Sequence, residues 1–122
     1  MKIAVIGGAG HVGLPLSLVL ADIGHSVTII DINQKALSEI KKGIFPFLEK
    51  GGPELLKKIL ETSKLSLSSD HKDINNCDVI ILTVGTPIDE HLNPDLNSIY
   101  DAVDEIKPHL NDDQVIIFRS TL

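Results

Sequence analysis

Between residues 5 and 15 the chain reads VIGGAGHVGLP, which sets four glycines into seven positions directly after a run of aliphatic residues. Glycine loses more conformational freedom on folding than any other residue, so this density implies positive φ or a very close approach of backbone. The flanks say what is being joined. Lys2–Gly7 (KIAVIG) is short, β-branched and closed by glycine, as a buried strand is. Val12 to Ile23 carries Val12, Leu16, Val19, Leu20 and Ile23 at helical spacing, with Gly24 as a stop signal. Pro15 lacks an N–H and is harmless only within the first turn, so this helix is expected to begin near His11 or Val12.

The same alternation runs through the rest of the chain. Ser26–Asp31 (SVTIID) reads as a second strand, and Asn33 can cap a helix reaching about Lys42 with Ala36, Leu37 and Ile40 inward. GIFPFLEKGGP is a loop, Glu54–Glu61 a short amphipathic helix and Leu65–Leu67 a short strand. Asp78–Val84 (DVIILTV) is the clearest strand; after the loop GTPIDEHLNP a helix covers roughly Asp95 to Leu110, and Val115–Phe118 is the last strand. Strands that are continuous apolar runs alternating with helices are the signature of a parallel sheet covered on both faces. The expected fold is therefore a single α/β domain, a doubly wound, Rossmann-like parallel sheet of strand order 3-2-1-4-5. No repeat, low-complexity segment or linker interrupts it.

Composition narrows the function. At 122 residues the chain is one domain with room for a real core. Asp and Glu number 17 against 11 Lys and Arg, without a basic cluster, which argues against nucleic acid as a partner. No apolar run approaches the roughly 20 residues of a membrane span, and the N-terminus is too short in its apolar part for a signal peptide. A single cysteine, Cys77, excludes an internal disulfide and fits a reducing cytoplasm. The histidines at 11, 25, 71, 91 and 109 show no ligand spacing, so no metal is expected.

The glycines can now be assigned. Gly8-Ala9-Gly10-His11-Val12-Gly13 fits G-x-G-x-x-G between a strand and a helix, the setting a dinucleotide fingerprint requires. Gly8 would make the tight turn, Gly10 would let the main chain approach a pyrophosphate, and Gly13 would let the helix lie close on the strand. His11 and Val12 fill the variable positions at the helix start, where N–H groups and the positive dipole end face the phosphates. The His11 side chain either faces a phosphate or points to solvent. Asp31 ends the second strand, 18 positions after Gly13, where a carboxylate can accept hydrogen bonds from the adenosine ribose and repel a 2′-phosphate. No arginine is near and Lys35 is the only close cation, which favours NAD over NADP. The competing readings are a plain tight turn for the glycines and a solvated, helix-capping turn residue for Asp31.

Gly7, Gly10 and Gly13 also read as G-x-x-G-x-x-G, and GGAGHVG resembles the opening of extended short-chain dehydrogenases such as nucleotide-sugar epimerases and dehydratases. Their Tyr-x-x-x-Lys pair is not supplied by Tyr100, which is followed four positions on by Asp104. The later segments resemble a different family in order and spacing. GHVGLPLSLVLADIGHSVTIIDIN, a loop with Gly43, Pro46 and Glu49, then DVIILTVGTP, PDL and RSTL are similar to the UDP-glucose/GDP-mannose dehydrogenases, in particular the UDP-sugar dehydrogenases. The resemblance covers essentially the whole chain. It departs at one point: the family usually has a single glycine between the strand and G-x-G, whereas Gly7 and Gly8 stand in succession here.

That resemblance implies an NAD-binding domain that ends before the substrate-binding part of a longer, homo-oligomeric cytoplasmic enzyme. Thr86 in VGTP matches a family threonine beside the cofactor, and Thr121 in RSTL one near the nicotinamide and a catalytic water. Glu49 matches an acidic position whose role is open and which otherwise caps the helix near Glu54. The implied reaction is a two-step oxidation of a nucleotide sugar's 6-hydroxyl to a carboxylate with two NAD, using a cysteine, a lysine and an asparagine that match nothing up to Leu122. Cys77 has Asn75, Asn76 and Asp78 beside it and no cation to activate it, so it reads as a core residue. On this basis the fragment alone is expected to be inactive. A non-catalytic nucleotide-sensing module has a similar fold, but nothing in it requires VGTP or RSTL.

Overall fold

The computed structural model describes residues 1–83 and 97–119, with side chains after the break described from Ile99 onward. Five strands form one sheet: β1 (Lys2–Ile6), β2 (Ser26–Ile30), β3 (Leu65–Ser68), β4 (Val79–Leu82) and β5 (Val115–Phe118). Their order is β3-β2-β1-β4-β5 and every pairing is parallel, as expected from the sequence. Central β1 places Ala4 opposite Thr28 on one side and Ile80 on the other.

Successive strand side chains point to opposite faces, and two cores follow from that. Ile3 and Val5 join Val27, Ile29 and Ile81 beneath α1 (Gly13–Asp22), α2 (Gln34–Lys41) and α3 (Gly52–Leu60). Ala4 and Ile6 join Ile30, Ile80 and Leu82 on the other face, under α4 (Asn97–Ile106) and a 3-10 segment, His71–Asn76. Local chemistry sets the helix ends. The Asn33 side chain accepts from the Ala36 N–H at 3.1 Å and starts α2. Gly24 at φ 108° closes α1, its N–H donating to the Ala21 carbonyl at 3.1 Å. Gly51 at φ 78° and Pro53 start α3 at Gly52, two positions before the start read from the sequence.

Two expectations are corrected. The inward face of α1 is Gly13, Leu14, Ser17, Leu18 and Ala21, whereas Val12, Val19 and Ile23 are exposed. The helix is apolar almost all round, so its periodicity did not single out a face; Gly13 lying against the β1 turn fixes the rotation instead. Nor is the sheet covered on both faces throughout. Ser26, Thr28, Ser66 and Ser68 line the side of β2 and β3 opposite α2, and none is fully buried. The crossover from β3 to β4 is only the 3-10 segment, which adds Ile74 to the cluster of Ile80 and takes the Ser68 hydroxyl as a donor to the Asp73 carboxylate, while Ser26, Thr28 and Ser66 stay partly or fully exposed. All four side chains of β5 are exposed as well.

Candidate functional site

The glycine loop lies over the C-terminal ends of β1, β2 and β4. Gly7, not Gly8, makes the turn: its φ is 79°, and its N–H donates to the Ile30 carbonyl at 2.8 Å. The strand therefore ends one residue earlier than the G-x-G-x-x-G register implied. Gly8 is instead a packing position, where a Cβ would lie 2.7 Å from the Ile29 side chain and 2.9 Å from the Val5 carbonyl. Gly13 has the close approach expected of it. A Cβ there would strike the Gly7 carbonyl and sit 2.7 Å from the Gly8 Cα and 2.9 Å from Thr83 Oγ1. At Gly10, among the described residues, only the Gly7 carbonyl comes near a Cβ, at 3.4 Å.

The start of α1 leaves donors available. No side chain caps it, and the N–H groups of His11, Val12 and Gly13 have no partner among the described residues. The loop is held from both neighbouring strands. Thr83, at the end of β4, donates its hydroxyl to the Ile6 carbonyl at 2.7 Å. Asp31, at the end of β2, accepts from the Ala9 N–H at 3.1 Å through one oxygen and from the Asn33 N–H at 2.9 Å through the other.

Asp31, Gly7 and Thr83 open on a cleft of about 440 Å³, within the range of small-ligand sites. Ile32 lines it on one side, and Asp101 and Glu105 from α4 on the other. His71 also lines it, its Nε2 3.2 Å from Glu105 Oε2. The His11 ring stacks on Phe47 at 4.2 Å between centroids, and Phe45 meets Phe47 edge-on at 4.8 Å. Its imidazole is thus taken up by the loop after α2, and neither of the two side-chain orientations weighed above describes it fully. Glu49 is exposed and does not cap α3 with its carboxylate; only its carbonyl accepts from Gly52, at 3.0 Å. Cys77 is buried beside the Asp73 carbonyl, and burial, reinforced by Asp78, pushes its thiol above the usual value. It is a core residue, as read. Thr86, Ser120 and Thr121 lie outside the described residues.

A family model described as the NAD binding domain of the UDP-glucose/GDP-mannose dehydrogenase family matches residues 1–122. The chain belongs to that family. The match decides against the short-chain epimerase family, although Gly7 makes the turn, and it makes NAD the cofactor of this domain. Among relatives, the UDP-glucose 6-dehydrogenase of Rickettsia felis is 36% identical over 123 residues, spanning 100% of this chain and 27% of its own length. The UDP-N-acetyl-D-glucosamine 6-dehydrogenase of Pseudomonas aeruginosa is 39% identical over 124 residues, spanning 100% and 28%. A GDP-mannose dehydrogenase from Pseudomonas aeruginosa, solved as a ternary complex, superposes with a TM-score of 0.93 at 29% identity, covering 100% of this chain and 29% of that one. The chain therefore spans little more than a quarter of the length of the relatives it matches.

Several residues of the site carried little sequence signal. Thr83 could have been found as the hydroxyl residue that ends the aliphatic run VIILT. His71 and Glu105 stand 34 positions apart in unrelated segments, and only the fold brings them together. Among the described residues there is no helix long and apolar enough to cross a membrane and no cluster of three metal-ligating side chains.

Proposed function

We propose that this chain is the cofactor domain of a nucleotide-sugar 6-dehydrogenase, the enzyme that oxidises a sugar 6-hydroxyl to a carboxylate with two NAD. The observation that carries it is the Asp31 carboxylate lining the cleft beside a glycine loop where, among the described residues, a side chain at Gly10 would meet only the Gly7 carbonyl. The fit to NAD rests on three features of the chain. N–H groups at His11, Val12 and Gly13 without a partner among the described residues suit a pyrophosphate at the α1 N-terminus, with Gly10 allowing the backbone to come close. The cleft between Ile32 and α4 suits the adenosine half. An ionised carboxylate has about four acceptor sites, and Asp31 uses two internally, which leaves sites for the ribose hydroxyls.

NAD supplies hydride acceptance when it is bound; this chain's residues bind and orient it. Thr86 and Thr121 are proposed to complete the site, Thr86 at the cofactor and Thr121 near the reacting carbon, where its hydroxyl would position a water. The relatives act, by name, on UDP-glucose, UDP-N-acetyl-D-glucosamine and GDP-mannose, so the substrate class is a nucleoside-diphosphate sugar. The chemistry of the thiol step would belong to residues other than buried Cys77.

Titration calorimetry with NAD and NADP tests the cofactor reading. A hydrogen bond to a charged group contributes roughly 1.5–3 kcal/mol, and a 2′-phosphate would instead meet Asp31, Asp101 and Glu105. NAD should therefore bind at least about tenfold more tightly than NADP. Equal affinities would remove Asp31 from the ribose site, and binding of neither cofactor would overturn the proposal as a whole.

A further inference from the structure

We infer that Asp31 is also the positioning residue of the phosphate-binding loop, acting through the Ala9 N–H in addition to any contact with ribose. This rests on the reading that the loop receives a pyrophosphate. Among the described residues, the bond that the Ala9 N–H donates to Asp31 at 3.1 Å is the only one between a side chain and the backbone of residues 7–12. The rest of that stretch is held by its own main chain: Gly7 N–H to Ile30, Gly10 N–H to Gly7 at 3.1 Å, and Leu14 N–H to Gly10 at 3.0 Å.

The carboxylate is fixed before it reaches the loop. Its other oxygen is tied to the Asn33 N–H at 2.9 Å, and its own N–H donates to the Ser68 carbonyl at 3.1 Å. Asp31 is thus anchored to β3 and to the α2 turn, and it holds the glycine loop at Ala9, whose side chain is buried. A partly buried bond from an amide to a carboxylate is charge-assisted and stronger than a neutral one. It turns the Ala9 N–H back toward β2, so this amide is not offered to a phosphate. Beyond Gly10, whose N–H donates to Gly7, the N–H groups of His11, Val12 and Gly13 have no partner among the described residues. Asp31 therefore sets the arrangement of donors that a pyrophosphate meets, although it would itself repel that anion.

A distinguishing consequence follows for ligands that lack the ribose. The ¹⁵N-labelled 122-residue chain, with its Asp31→Ala and Asp31→Asn variants, is titrated with inorganic pyrophosphate and with NAD, and amide hydrogen exchange is measured without ligand. Loss of the clamp should speed exchange at Ala9 by about tenfold in Asp31→Ala while central-strand amides such as Val5 and Ile29 keep their protection. Pyrophosphate affinity should fall by about five- to tenfold in the same variant. Asp31→Asn, which keeps one neutral acceptor, should recover part of both effects, and it carries the test if Asp31→Ala does not fold. Unchanged Ala9 exchange and pyrophosphate affinity in the folded variants, with only NAD affinity reduced, would overturn the inference and confine Asp31 to the ribose. A chain that binds neither ligand would refute the cofactor reading instead, and the Ala9 exchange rates would still decide whether the clamp exists.

Discussion

Gly10 and Gly13 are three positions apart in one motif, yet a methyl group added at each would meet different surroundings. At Gly13 it would run into the backbone of Gly7 and Gly8, which cannot yield without moving the turn. Overpacking of this kind typically destabilises by about 1–3 kcal/mol, so Gly13→Ala should lower the urea midpoint by a corresponding amount. Gly10→Ala should change stability by less than about 0.5 kcal/mol, because among the described residues only the Gly7 carbonyl stands near, at 3.4 Å. The bulkier Gly10→Val should fold and yet lose NAD affinity, since its side chain would fill the open side of the loop. NAD bound normally by a folded Gly10→Val variant would make the loop a turn and nothing more. Gly7 shows why motif spacing alone misplaced the turn. Two glycines in succession are equally able to adopt positive φ, and the choice fell to Gly7 because Gly8 is wedged against Ile29 and Val5.

At the scale of elements, α1 and α2 begin in opposite ways for physical reasons. α2 starts with a side-chain cap, Asn33, that satisfies one of the orphan N–H groups every helix has. α1 has no cap and no acidic residue in its first turn. A capping side chain there would occupy the donors and the positive dipole end that an anion would use. Asn33→Ala is therefore expected to cost about 1 kcal/mol, measured by thermal unfolding. NAD affinity should stay unchanged, because it is the backbone N–H of residue 33 that meets Asp31. A tenfold loss of affinity in that variant would mean that α2 shapes the site more directly than its hydrogen bonds indicate.

For the molecule as a whole, the sheet ends in two edge strands, β3 (LSLS) and the wholly apolar β5 (VIIF). Among the described residues no strand pairs with the outer side of β5, and Val115, Ile116, Ile117 and Phe118 are 57%, 37%, 44% and 57% exposed. An uncharged, apolar edge strand is a template for pairing with another chain. The 122-residue chain should therefore associate with rising concentration in sedimentation velocity, and Ile117→Lys should shift it toward monomer. A wild-type chain that stays monomeric at every concentration would show that the β5 edge is protected by some other means. The order of the five strands and the four α-helices between them, and their parallel 3-2-1-4-5 sheet, were legible in the sequence. Those features rest on local signals: aliphatic runs, a glycine-rich strand–helix join, and a carboxylate closing the second strand. The identity of the turn glycine, the buried face of α1 and the bare hydroxyl side of β2 and β3 were decided only in the tertiary structure. So were the contacts of Thr83 with Ile6, 77 positions away, and of Ala9 with Asp31, 22 away. Each of these depends on how closely two remote segments approach, which is set by packing across the whole sheet and leaves no trace in the composition or period of either segment.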